Sequence, residues 1–419
     1  MGSLWSAHNR GKVNAKEQTR TAMNEPEGFD RVPIILTFRE TSTFAQTYGF
    51  AGTQGFVALE GQRFIPRARP VADTVYLFMH PSSTLQLLPM PAALANVGLH
   101  VICAGSRFAK NDSALIMEKV CMDLDAYVRW AKEVCGYRKV ILVGWSGGGS
   151  LSLFYQSQAE DPTITHTPAG DPCDLTAANL TPADGIVFIA AHLSRAETIT
   201  EWLDPSVKDE MNPDDRELEF DIYSPHCPHK PPFNPEFVRR FRAAQIARNR
   251  KITETAKQLL SVLKQRNDGE VERGFVVHRT MCDVRWIDPT IDPNGRKPNH
   301  CFLGEPRVAN TASAGLARFS TLRSWLSMWS YDLSQAKGTL SAPRVKRTPV
   351  LQIVNEADEA VPVTHNPLIY QALATPDKEM ITIPGATHYY LGQTEQLNKC
   401  IALLRDWSER KGLLESSVS

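Results

Sequence analysis

One serine in this chain stands where it could act as a nucleophile. Gly144-Trp145-Ser146-Gly147-Gly148 directly follows the apolar run Lys139–Val143 and precedes a helix-like stretch, Gly149–Gln158. A sharp turn from strand to helix lifts a serine hydroxyl clear of the backbone, and the flanking glycines let neighbouring chain pass close. Gly147 can offer its N–H to an oxyanion, with the positive end of a helix dipole behind it. Such a serine needs a base to take its proton. The base in turn needs a carboxylate to hold its tautomer and balance its charge. The chemistry implied is acyl transfer through a covalent intermediate.

The elements that must position these groups can be read from apolar patterning. Strand-like runs occur at Pro33–Arg39, Gly55–Arg63, Thr74–Met79, Leu99–Ala104, Lys139–Val143, Gly185–Ala190, Pro349–Val354 and Glu379–Ile383. Several are continuously apolar, as expected of strands buried on both faces. Asn111-Asp112-Ser113 supplies N-cap residue types. After it, Val120, Leu124, Tyr127, Val128, Ala131 and Val134 recur at helical spacing up to Gly136. Leu397, Ile401, Leu404 and Trp407 mark one side of a final helix. Strands alternating with helices imply right-handed crossovers and a mostly parallel α/β sheet flanked by helices. Residues 1–30 read as a flexible N-terminal arm. The alternation breaks over residues 193–347, a stretch of 347 − 193 + 1 = 155 residues, and 419 − 155 = 264 leaves about one α/β domain. The expected organisation is therefore a core of 31–192 and 348–419 with one large insertion at 193–347.

The glycine-flanked serine in this setting resembles the nucleophile elbow of the α/β-hydrolase fold superfamily, over about residues 31–192 and 345–411. The resemblance implies the partner order serine, acid, histidine. The family's histidine follows the last strand, which is where His388 lies. His365, the other histidine after Pro349–Val354, falls in a helix-like segment. The acid implied is Asp358, in Asn355-Glu356-Ala357-Asp358-Glu359-Ala360-Val361-Pro362, with Glu356 and Glu359 as neighbouring rivals and Glu197 as an earlier alternative. The family's second oxyanion donor comes from the loop after the strand Thr74–Met79. That loop reads His80-Pro81-Ser82-Ser83 where many relatives have His-Gly, and proline has no N–H to give. The expected donor is Ser82, or Ser83 if the loop shifts by one, with His80 bracing the loop. Arg107, in the next loop, either meets a substrate carboxylate or pairs with an internal acid.

The insertion falls where the family carries its cap, after the sixth strand. Together with the elbow it implies a pocket near His80, Ser83, Arg107, Trp145 and His192, with Trp325 and Trp329 as an aromatic wall. The insertion also holds opposite charge blocks. Ten acids lie in 196–221, and nine Lys/Arg lie in Pro235–Arg266. Pairing or solvation of these blocks explains them better than nucleic acid, because the chain balances 46 Lys+Arg against 46 Asp+Glu. His226, Cys227, His229, His278, Cys282, His300 and Cys301 fall in the insertion without finger-like spacing, so no metal is expected. The eight cysteines lack C-x-x-C pairs, and no apolar run reaches the roughly 18 residues of a membrane span. The expectation is a cytoplasmic, cofactor-free serine hydrolase, with room for a homodimer but no nucleic acid or membrane partner. Its substrate would be a hydrophobic or aromatic carboxylic ester or lactone. Carbon–carbon bond hydrolysis, amide hydrolysis and acyl transfer use the same residues, and a ligand receptor built on such a scaffold is the non-enzymatic alternative.

Overall fold

The apolar runs form strands, and most are buried along their whole length. In a computed structural model of the chain, which describes residues 28–40 and 55–414, the strands are β1 (Phe29–Arg39), β2 (Phe56–Pro66), β3 (Thr74–His80), β4 (His100–Gly105) and β5 (Lys139–Trp145). They continue with β6 (Gly185–Ile189), β7 (Gly274–Val276), β8 (Phe319–Thr321), β9 (Val350–Asn355) and β10 (Lys378–Ile383). Eight of them make one sheet in the order β1-β2-β4-β3-β5-β6-β9-β10, and β7 and β8 pair separately. β2 runs antiparallel to β1 and β4, and the remaining pairings are parallel. β1 begins at Phe29, whose ring stacks on Phe64 at 4.9 Å. Pairing therefore starts before residue 30, the expected end of the arm, and residues 1–27 of that arm lie outside the described residues.

Helices cover both faces. α1 (Pro89–Asn96) and the C-terminal helix bury Leu94, Leu404 and Trp407 against one face. α2 (Met117–Arg129) and α3 (Gly147–Glu160) bury Val120, Leu124, Val128 and Phe154 against the other. α2 starts later than Asn111–Ser113 predicts. Asn111 Oδ1 instead closes a local turn by accepting from Ser113 Oγ at 2.8 Å, and Leu115 and Ile116 then run into the core before the helix begins. The first N–H of α2 is satisfied from far along the chain, by Ser327 Oγ at 2.9 Å. A cap delivered by another element leaves no local sequence signal.

Ser327 belongs to the insertion between β6 and β9. This segment opens with α4 (Arg195–Trp202) and carries α5 (Pro235–Arg266) and the antiparallel β7–β8 pair. Asn234 caps α5 by accepting the Glu236 N–H at 2.8 Å, with Pro235 at its first position. The charge blocks meet each other, Arg248 on Glu210 at 2.7 Å and Arg240 on Glu219 at 2.6 Å.

The insertion is tied to the core at Glu118 of α2, which accepts from Ser327 Oγ at 2.7 Å and Gln335 Nε2 at 3.3 Å. Burial pushes the Glu118 carboxyl from its ordinary 4.5 up to about 7. An acid raised on folding favours the native state below its unfolded value and loses that contribution as pH climbs through the folded one. The gap corresponds to about 3 kcal/mol at most. Glu118→Gln, which keeps an acceptor and removes the charge, should therefore resist urea better than wild type at pH 8. Near pH 4.5 the two should unfold together. Equal midpoints at both pH values would show that Glu118 does not ionise at a cost.

Candidate active site

The sheet order, parallel but for β2 and covered by helices on both faces, is that of the α/β-hydrolase fold, and its strand ends determine which side chains can meet. Ser146 sits between β5 and α3 with φ 54 and ψ −126, a left-handed conformation that a non-glycine residue adopts only when its surroundings hold it there. They do so on both sides. The Ser146 N–H donates to Ala190 O at 3.1 Å, and its carbonyl accepts from His192 N at 3.1 Å and Gly149 N at 3.0 Å. A side chain at Gly148 would run into the Met79 carbonyl, so the turn can close on β3 only with glycine there.

His388, after β10, places Nε2 3.1 Å from Ser146 Oγ and Nδ1 3.0 Å from Asp358 Oδ2. Asp358 is held from behind, where its Oδ1 accepts from Ala360 N at 2.7 Å and Val361 N at 2.8 Å. The three side chains are shielded from bulk water, with residue exposures of 7% for Ser146, 3% for Asp358 and 1% for His388. Trp145 Nε1 donates to the His388 carbonyl at 3.1 Å and its ring packs on the imidazole at 4.7 Å. The rival acids are occupied elsewhere. Glu356 accepts from Gly295 N and Gly385 N, and Glu359 from the His388 N–H. Glu197 forms a reciprocal cap with Ser194 at the start of α4.

Ser146 and His388 open on a cleft of about 100 Å³, whose walls include Trp145, His192, Trp202, Phe302, Leu316 and Tyr389. His192 anchors to Thr198 Oγ1 through Nδ1 at 2.9 Å, and burial holds its pKa well below the usual imidazole value. His80, Ser82 and Ser83 also reach the cleft, but the backbone does not do there what was expected. The N–H groups of Ser82 and Ser83 donate to His80 Nδ1 at 3.3 and 3.2 Å. The expected second oxyanion donor, Ser82, is thus turned onto a side chain. Gly147 N–H remains at the first turn of α3.

Two further expectations are corrected. Trp325 and Trp329 are not pocket walls, because they lie fully buried within the insertion. Trp325 donates its Nε1–H to Thr253 Oγ1 at 2.9 Å, and Trp329 backs the Arg195 guanidinium at 4.5 Å. Arg107 does not line the cleft, and of its two readings pairing with internal acids is the one that holds. Its guanidinium is held by Asp123 at 2.7 Å and Glu40 at 2.8 Å, and these two carboxylates raise its pKa against the opposing effect of burial. Among the described residues, no three His, Cys, Asp or Glu side chains gather as a metal site.

Sequence reasoning missed Arg195, Trp202, Phe302 and Tyr389. A local signal existed for Arg195. Ser194-x-x-Glu197 is a capping-box pattern, which places Arg195 at the first position of a helix springing from the end of β6, the strand beside the elbow. Trp202, Phe302 and Tyr389 come together only through tertiary packing, Trp202 and Phe302 at 5.4 Å.

No family model matches the chain, and no curated protein sequence matches it. Among solved structures it is similar to the α/β hydrolase GrgF from Penicillium sp. sh18, with TM-score 0.48 and 13% identity, covering 91% of this chain and 99% of that one. It is also similar to Est1E from Butyrivibrio proteoclasticus, with TM-score 0.43 and 12% identity over 85% and 96% of the two chains. A third similar structure is the monoacylglycerol lipase of Paleococcus ferrophilus, with TM-score 0.42 and 13% identity over 84% and 99%.

Proposed function

We propose that the protein is a serine hydrolase that cleaves a carboxylic ester or lactone of a hydrophobic or aromatic small molecule through an acyl-enzyme on Ser146. The observation that carries this reading is the continuous relay from Asp358 through His388 to Ser146 Oγ, with links of 3.0 and 3.1 Å. Asp358 accepts the Nδ1–H of His388, which leaves Nε2 unprotonated and facing the serine hydroxyl. His388 takes that proton as Ser146 Oγ bonds to the substrate carbonyl carbon, and Gly147 N–H meets the oxygen on which charge develops. His388 then protonates the departing alcohol oxygen. A water molecule, deprotonated by the same nitrogen, releases the acid. Each step draws on side chains, the Gly147 N–H and water. The aromatic rings of Trp145, Trp202, Phe302 and Tyr389 suit an apolar or aromatic acyl or alcohol group.

A fluorophosphonate probe tests the reading directly. It should modify the full chain once, on the peptide that carries Ser146, and turnover of p-nitrophenyl acetate should fall in step with labelling. Labelling elsewhere, or ester turnover that survives complete labelling, would refute it.

A further inference from the structure

The backbone donors of the β3 loop are already committed to His80 Nδ1. A ring nitrogen that accepts two hydrogen bonds carries no proton, so a neutral imidazole bound in this way holds its proton on the other nitrogen. His80 is neutral, because burial and the nearby Arg195 charge keep its pKa well below the usual value. Its Nε2 is therefore an N–H donor, and it faces Arg195 Nη1, also a donor, at 3.5 Å.

Arg195 is 5% exposed. Its ring-like plane lies over Trp329, its Nε points at Met328 Sδ at 3.2 Å, and its Nη2 has no hydrogen-bond partner. The Asp112 carboxylate stands 3.6 Å from Nη2, beyond hydrogen-bond length. Burial lowers the guanidinium pKa only to about 10, so the group is a cation at neutral pH. Buried donors facing each other imply an acceptor between them. Both nitrogens lie against Gly147, where a Cβ would meet Arg195 Nη1 and His80 Nε2 at 2.7 Å each. Gly147 is the residue after the nucleophile, and both side chains line the cleft onto which Ser146 opens.

We propose that the oxyanion formed on attack by Ser146 is held by Gly147 N–H together with His80 Nε2–H and the Arg195 guanidinium, side chains standing in for a loop N–H. The proposal rests on Ser146 being the nucleophile. As Oγ bonds to the carbonyl carbon, the π electron pair moves onto oxygen and the serine proton moves to His388 Nε2. When the intermediate collapses, that pair re-forms the carbonyl and the alcohol leaves with the His388 proton. The oxygen is neutral in the bound ester and anionic only between these events. A fixed cation there favours the charged state over the bound substrate and acts on kcat more than on KM.

The test uses the purified full chain with p-nitrophenyl acetate and, in parallel, a p-nitrophenyl monoester carrying a free carboxylate. Arg195→Gln should lower kcat by about 10²–10³-fold on both esters and change KM by less than about threefold. Fluorophosphonate labelling of Ser146 should slow alongside, and Arg195→Lys should recover part of the loss. Unchanged kcat in a folded Arg195→Gln, confirmed by an unaltered melting curve, would overturn the proposal. So would a loss confined to KM for the carboxylate ester, since Arg195 would then be a substrate anchor. If Arg195→Gln melts early, Arg195→Lys decides: in a variant that melts like wild type, kcat must fall below wild type while KM holds, and a loss confined to KM would overturn the proposal. Failure of the underlying reading looks different, as Ser146→Ala would then be labelled and active like wild type.

Discussion

Ser146→Ala is expected to lower kcat on p-nitrophenyl acetate by about 10⁶-fold and to leave the melting temperature within a degree or two of wild type, on the order seen when a triad serine is removed. The hydroxyl contributes one hydrogen bond to the fold, to His388 Nε2 at 3.1 Å. The peptide groups that fix the turn, to Ala190, His192 and Gly149, are untouched by the substitution. Alanine at φ 54 bears the same backbone strain as serine, so no relaxation offsets the lost contact. The residual rate would come from the cleft and its oxyanion donors, which lower the barrier without a nucleophile. Initial rates and a thermal melt on the same preparation check both halves. Turnover within tenfold of wild type would remove Ser146 from the chemistry.

The parts of this site legible in the amino-acid sequence are those fixed by short-range rules. β3, β4, β5 and β6 are buried on both faces and so are continuously apolar, and the serine turn follows from two glycines, Gly148 pressed by β3 and Gly144 by the first turn of α3. Asp358 and His388 follow strands β9 and β10, and parallel pairing of those strands carries both loops to the same edge of the sheet. What was not legible depends on contacts across long chain separations. α2 takes its cap from Ser327, 210 residues away. The tryptophans of the Trp325–Trp329 segment form an apolar stripe, and such a stripe cannot announce whether it faces a pocket or a core. Here it faces the core, while Trp202 and Phe302 line the cleft. Arg107 has the same ambiguity, resolved only when Asp123 and Glu40 are seen on either side of it. The two Ser–N–H groups failed as oxyanion donors for a related reason, since a loop sequence does not reveal that its own first histidine will accept them.

Asp358→Asn is expected to cost about 10⁴-fold in kcat with the fold intact, and the reason lies in which atoms of the side chain are already committed. Oδ1 receives two backbone N–H groups, from Ala360 and Val361, and only an oxygen can serve there. An asparagine must therefore keep its carbonyl oxygen on those donors and turn its amide NH₂ toward His388 Nδ1. That nitrogen then becomes an acceptor, and the imidazole proton is forced onto Nε2. Nε2 faces Ser146 Oγ at 3.1 Å, so the ring would present a proton to the hydroxyl whose proton it has to remove. The base is lost although every heavy atom stays in place. Glu356→Gln, whose parent carboxylate accepts backbone N–H groups from Gly295 and Gly385 and does not touch the ring, separates this tautomer effect from general loss of negative charge nearby. Steady-state rates for the two variants, with melting curves to match, should differ by about three orders of magnitude or more. Equal losses would mean that Asp358 acts through its charge at a distance and that the proton on Nδ1 is set by something else.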